Sequence, residues 1–505
     1  MKRKKELIVI LSSLLVIVLS VSVAYFTTKI LGTGKDISVT SADLKVIFTS
    51  GSGTINGTNI EPGWTSGENT FTVKNESNGT YKYNIIIKDL VNTFVTTGFL
   101  QYKLTSTDGG YNMTDFADVP KSKTSKDKVL AYNISIDKDA THTYTIEVKY
   151  LESTEVDQSA DMGKTLTGKI FITNGTERPT LANQLLNDNP TIGTRTDFST
   201  PFTTNTANTL YKATENAADV YYFAGQDTES TPINNWVKFG KNASNQDLYW
   251  RIIRTNADGS IRLLYHGTST TATDAYIGKS AFNTTSNSPK YVGYMYGDTD
   301  TTLEEARTNT KDSTIKAYID NWYENNLTTY TNYLSNDAVY CNDREVETGA
   351  TYSTTKRFDF KVYERIIRNK TPTYDCTNNN DKFTVDASSG NGKLTYPIAL
   401  MTADEIAYAG GVAKEDAPMW YYTNSSFESS TGTTILWSLS PLDWRDNGAF
   451  SWLVYGSDYP GSFGNYLVNG SYGVRPAVSL KACVKYSTGN GTSETPYEIV
   501  ENGGC

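Results

Sequence analysis

The chain has 505 residues, room for two or three domains, and its net charge of −9 at pH 7 argues against a nucleic-acid partner, which needs a basic face. Aromatic residues make up 12% of it, which argues against wholesale disorder. Thirty-five Tyr stand against only two His, His142 and His266, so composition leans toward binding surfaces and away from histidine catalysis, a zinc site or a cofactor.

Lys2, Arg3, Lys4 and Lys5 precede an apolar run from Leu7 to Phe26. The basic residues stay cytoplasmic, so the chain beyond Phe26 is expected outside the cell. Residues 1–26 read either as a transmembrane anchor, since the run is about 20 residues long, or as a signal peptide cut near Ser22-Val23-Ala24. A buried core helix would need a polar face that this run lacks.

Residues 36–175 read as an all-β sandwich. Leu44–Phe48, Asn69–Val73, Tyr81–Ile87, Val129–Ile136, Thr143–Tyr150 and Leu166–Thr173 are short β-rich runs separated by Gly, Asn, Asp and Ser. The leader ending in Ala24-Tyr25-Phe26, the Pro62-Gly63 turn and the run Thr70-Phe71-Thr72-Val73-Lys74-Asn75 resemble the camelysin and biofilm-matrix fibre family of Gram-positive bacteria. That resemblance implies a sandwich that stacks or displays. The metalloprotease activity ascribed to camelysins does not carry over, because no H-E-x-x-H is present.

Residues 176–215 read as a connector, with a short helical stretch through Leu181, Leu185 and Leu186 and then a Thr/Asn-rich tract. From 216 to 505 the pattern is α+β. Tyr249–Arg254 and Ser260–Tyr265 flank Asn256-Ala257-Asp258-Gly259, a hairpin signal. Asp312 is expected to cap a helix carrying Ile315, Ile319 and Trp322. Thr402-Ala403-Asp404-Glu405 is a capping box that Gly410 would end; the two acids read as helix-start charge. Strands return at Ala449–Tyr455, Phe463–Val468 and Val474–Leu480.

Four cysteines, Cys341, Cys376, Cys483 and Cys505, allow three pairings. Local closure favours Cys341–Cys376 and Cys483–Cys505, each stabilising by roughly 3–4 kcal/mol. The spacing is too wide for a zinc site.

Between Trp437–Pro441 and Gly473–Leu480 lies a polar-aromatic stretch. Asp443, Trp444, Asp446, Asn447, Trp452, Tyr455, Ser457, Asp458, Tyr459, Asn465 and Tyr466 are its candidate ligand-binding residues. Such a mixture of adaptable polar groups and aromatic rings is typical of paratopes. Alternation also sends one face of Ala449–Tyr455 into a core, so about half of the rings are expected to be structural.

Tyr249–Ile253, Asp258–Arg262, Trp437–Pro441 and Gly473–Leu480 together look like a family of uncharacterised extracellular domains of gut Firmicutes. That family is related to the C-type-lectin-like and formylglycine-generating-enzyme-like fold. The resemblance implies that Arg475 is structural. It also implies that residues 442–468 are a variable ligand face of the kind diversified by retroelements. Neither the enzyme's cysteine pair nor the calcium-lectin motifs are present.

The expected fold is therefore multidomain: an N-terminal transmembrane or signal helix, an all-β sandwich, a connector and a C-type-lectin-like α+β domain. The expected role is ligand recognition at the cell surface or after secretion. The partner would be an extracellular protein or glycan, with a membrane contact through the N-terminal helix if it is uncleaved. No enzymatic activity is expected. A matrix-fibre protein assembling through the sandwich is the alternative.

Overall fold

The computed structural model describes residues 44–48, 54–57 and 60–505, except 97, 204–205, 207–208, 272–274, 423–434, 457–458 and 502–504. The apolar run Leu7–Phe26 lies outside the described residues, and among those described no helix is long and apolar enough to cross a membrane. The fold is mainly β and divides into two compact units, one ending at Arg178 and the other beginning at Pro179.

The first unit contains β1 (Leu44–Phe48), β2 (Thr54–Gly57), β3 (Asn69–Asn75), β4 (Tyr81–Asn92), β5 (Leu100–Ser106), β6 (Ala117–Asp118), β7 (Ser122–Ile136), β8 (Thr141–Tyr150) and β9 (Leu166–Asn174). They form two antiparallel sheets, ordered β1-β3-β8-β5-β6 and β2-β9-β4-β7, around one apolar core. The reason is period-two patterning. On β8, His142, Tyr144, Ile146, Val148 and Tyr150 are buried and their neighbours are not. Buried Asn75 staples a corner by donating to Ile136 O and Gly79 O, at 3.0 and 2.8 Å. The edge strand β7 carries Lys123, Lys126 and Lys128 and repeatedly slips register against β4, both devices that hinder edge-to-edge pairing.

The stretch expected as a connector belongs to the second unit from Pro179 onward. Thr180 caps helix Leu181–Asp188, its hydroxyl accepting from Asn183 N at 3.2 Å. Leu181 and Leu185, one turn apart, are buried in the main core of that unit, which outweighs the polar composition around them. The polar tract is then pinned by β10 (Thr191–Thr194), which pairs in parallel with β11 (Thr209–Glu215).

β11 continues through β12 (Ala218–Tyr222) into the largest sheet, which includes β13 (Trp236–Lys241), β14 (Asp247–Thr255) and β15 (Ile261–Gly267). β14 and β15 form the expected hairpin. Gly259 N donates to Asn256 O at 2.9 Å, and Gly259 takes φ +80°, which suits glycine. The helix expected from Asp312 starts one residue later: Ser313 is its cap, its hydroxyl accepting from Lys316 N, and the helix spans Thr314–Asn326 with Ile315 and Ile319 buried. Helix Ala403–Ala409 has both arms of the Thr402/Glu405 capping box and ends at Gly410, φ +115°. The disulfides are Cys341–Cys376 and Cys483–Cys505. Arg475 is buried and structural in its contacts: its guanidinium donates to Tyr265 O at 3.0 Å and to Tyr421 O, and lies 3.3 Å from His266 Nδ1.

Candidate functional site

The polar-aromatic stretch folds as a three-stranded antiparallel meander: Leu436–Arg445, Gly448–Val454 and Phe463–Leu467. Asp446 and Asn447 form the first turn, with φ of +49° and +56°. This two-residue geometry selects Asn, Asp and Gly, so Asp446-Asn447-Gly448 was a readable hairpin signal. Both turn residues are exposed.

The two tryptophans lie elsewhere. Trp444 and Trp452 are each 2% exposed. Trp444 sits opposite Phe358 on the neighbouring strand Phe358–Asp359. Trp452 stacks on Tyr363 at 6.1 Å and meets Phe463 edge-on at 5.3 Å. Alternation sends one face of Ala449–Tyr455 into a core; in the structure Ser451, Trp452, Leu453 and Val454 are all buried, on both faces, with Tyr363 over Trp452. Tyr455 is half-buried against Gly464, where a Cβ would meet its ring at 2.3 Å. Tyr459 and Tyr466 stand out at 45% and 43% exposure. Tyr466 leans on Tyr472 at 4.8 Å, and Tyr472 on Trp437 at 5.3 Å. Ser457 and Asp458 lie outside the described residues.

Asp443 and Asn465 converge on a residue the sequence reading missed, Arg445. Its guanidinium donates to Asp443 Oδ2 at 2.5 Å and to Asn465 Oδ1 at 2.7 Å, and lies 4.0 Å over the Phe450 ring. Asp443 is 1% exposed, and its Oδ1 has no partner. Directly opposite it in the ladder is a second buried carboxylate, Asp359. Burial, reinforced by Asp359 and opposed by Arg445 and Arg357, raises the Asp443 carboxyl to about 6. Asp359 in turn holds Arg368 at 2.8 Å and Arg357 at 3.6 Å. Nothing local in sequence joins Asp359 to Asp443.

A second carboxylate cluster lies around Glu405. Glu405 meets Arg254 at 3.0 Å and Arg262 at 3.2 Å, and Arg254 also meets Glu215 at 2.9 Å. Asp404 is paired with Arg365, which also holds Asp343. Asp404 and Glu405 are thus buried keystones and not only helix-start charge. The adjoining cavity, about 20 Å³, has room for a single water.

The histidines are packed side chains. His142 lies 2.8 Å from the Tyr83 hydroxyl, and burial lowers its pKa. His266 lies edge-on to Trp236 at 4.4 Å, its pKa held well down by burial and then by Arg475 and Arg251. In the first unit an open groove of about 680 Å³ is floored by Asp161 and Tyr150. Asp161 accepts from Val95 N, Thr96 N and the Tyr150 hydroxyl, so its carboxylate anchors a loop. Among the described residues no three His, Cys, Asp or Glu side chains are gathered as a metal ion requires.

No protein-family model, curated protein or solved structure matches this chain.

Proposed function

We propose that this is an exported, adhesin-like ligand-recognition protein of the bacterial surface or medium. It meets an extracellular protein or glycan through Asp446, Asn447, Tyr459 and Tyr466. One observation carries the reading. Within a single meander the tryptophans lock the frame while these four polar or aromatic side chains stand exposed on it. Rigid backbone presenting tyrosines and short polar groups binds with little ordering cost. The two disulfides fit an oxidising, extracellular compartment. On this reading the second unit is a C-type-lectin-like domain, its rim differs between sister copies, and any uncleaved leader holds it at the membrane.

The test is a glycan and protein array probed with the full chain and with a Tyr459→Ala/Tyr466→Ala double variant. A partner bound at micromolar concentration and weakened at least about tenfold in the variant supports the reading; that loss corresponds to about 1.4 kcal/mol. Equal affinities for every partner overturn it. Concentration-dependent filaments without any partner would favour the matrix-fibre alternative.

A further inference from the structure

The chain is acidic as a whole, but residues 356–370 are strongly basic: Lys356, Arg357, Lys361, Arg365, Arg368 and Lys370 against Asp359 and Glu364. This segment forms the strand Phe358–Asp359 and then one continuous helical stretch, Lys361–Asn369. Arg365 is tied to Asp404 and Asp343. Lys356, Arg357, Lys361 and Arg368 are exposed, whereas Asp359 is buried beneath them. Arg445 joins them from the adjoining strand, anchored by Asp443 opposite Asp359.

The arrangement is polarised. Asp359 and Asp443 lie inside and fix the guanidiniums, half-buried Glu347 also holds Arg368, and Lys356, Arg357 and Lys361 face solvent. Each guanidinium carries five N–H donors and gives only some of them to its carboxylate, so fork-shaped donors remain for a ligand. The acidic remainder of the chain is screened beyond roughly 8 Å at physiological salt, so the local patch sets the chemistry.

We infer that this face binds an anionic polysaccharide, its carboxylate groups docking on Arg357, Arg368 and Arg445 with Lys356 and Lys361 alongside. Bidentate arginine geometry matches a carboxylate. A nucleic acid needs a longer basic track than one short segment. A protein partner needs an apolar anchor, and the exposed large apolar side chains described in this unit, Ile192, Tyr459 and Tyr466, all lie outside residues 356–370. The inference does not depend on the tyrosine rim, so either can fail alone.

The experiment measures retention of the full chain on immobilised polygalacturonate, with neutral dextran as the control, from low to high salt. Retention on polygalacturonate alone, falling steeply with salt, is expected. Lys356 and Lys361 take part in no ion pair among the described residues, so Lys356→Glu/Lys361→Glu leaves the frame intact and is expected to weaken binding at least tenfold. Arg357→Ala, which leaves Asp359 paired with Arg368, is expected to weaken it several-fold. Tyr466→Ala is expected to change nothing. Equal retention on dextran, unchanged binding of the charge-reversed variant, or tighter binding of polyglutamate or duplex DNA than of polygalacturonate overturns the proposal.

Discussion

The two buried carboxylate clusters of the second unit use the same residue types and end differently. Around Glu405 the carboxylates are closed by arginines that are themselves buried: Arg254 and Arg262 on Glu405, and Arg254 again on Glu215. Around Asp443 one oxygen has no partner, and the arginines reach solvent. The first cluster joins a helix start to the β14–β15 hairpin and is part of the frame. The second holds cations at a surface and makes a face. What separates frame from face is where the counter-charges end, not which residues are present.

The strongest way to break this contrast is to open the first cluster. Glu405→Gln leaves Arg254 and Arg262 without their shared carboxylate, while the Gln amide oxygen keeps an acceptor for Thr402 N in the capping box. Loss of one partner from a buried ion pair costs about 3–5 kcal/mol. A fall of that size in the unfolding free energy, read from the denaturation curve, is expected, and a loss below about 1 kcal/mol would mean the cluster is not frame. Trp452→Ala follows, at about 3 kcal/mol, because it empties a site packed against Tyr363 and Phe463. Denaturation of the full chain, followed by tryptophan fluorescence, checks both.

These outcomes also mark what could be read in the sequence. The six sandwich strands, the Asp258-Gly259 hairpin, the Thr402–Glu405 capping box and the locally closed disulfides were legible, since each rests on spacing within a few residues or on chain proximity. The membership of Leu181–Glu215 in the second unit was not. There a polar tract is held by two buried leucines and a parallel strand pair that composition conceals. The candidate site was legible in part. Asp446, Asn447, Tyr459 and Tyr466 are at the surface as a binding rim needs, but Trp444 and Trp452 are buried because a distant strand and helix cover them. Asp359, Arg357, Arg368 and Tyr363 reach the site only through tertiary pairing, which no local pattern announces.

The two clusters are also expected to answer pH in opposite senses. Asp443 binds its proton more tightly in the folded chain, with a pKa of about 6 against the usual 3.8. Between those values the unfolded state is ionised and the folded state is not, so its contribution to stability falls as pH rises from about 4 to 6. Glu215 is the reverse. Burial alone would raise its pKa, but the charge and hydrogen bond of Arg254 and the Ala257 N–H outweigh it and leave it lowered from 4.5. Its stabilisation is present above 4.5 and is lost as pH falls through the folded value. Asp443→Asn is therefore expected to gain stability over the wild type progressively as pH rises from about 4 to 6, reaching on the order of 2 kcal/mol by pH 7. Glu215→Gln is expected to lose stability at pH 7 and to lose less as pH falls toward 3. Parallel shifts of both variants would erase the distinction.

The smallest expected effect on stability is the sharpest test of what a face is. Tyr466 is exposed along one side, and its ring touches the fold through Tyr472. Tyr472 is the ring that transmits contact inward to Trp437. Tyr466→Ala should therefore change stability by no more than about 0.5 kcal/mol, the range of ordinary surface substitutions, while Tyr472→Ala costs more because it uncovers Trp437. If Tyr466→Ala instead costs as much as Trp452→Ala, its ring is part of the frame, and the meander presents one fewer group to a partner. If it costs nothing in stability and weakens an array partner tenfold, the same strand holds the frame through Phe463 and meets the ligand through Tyr466, three residues further along.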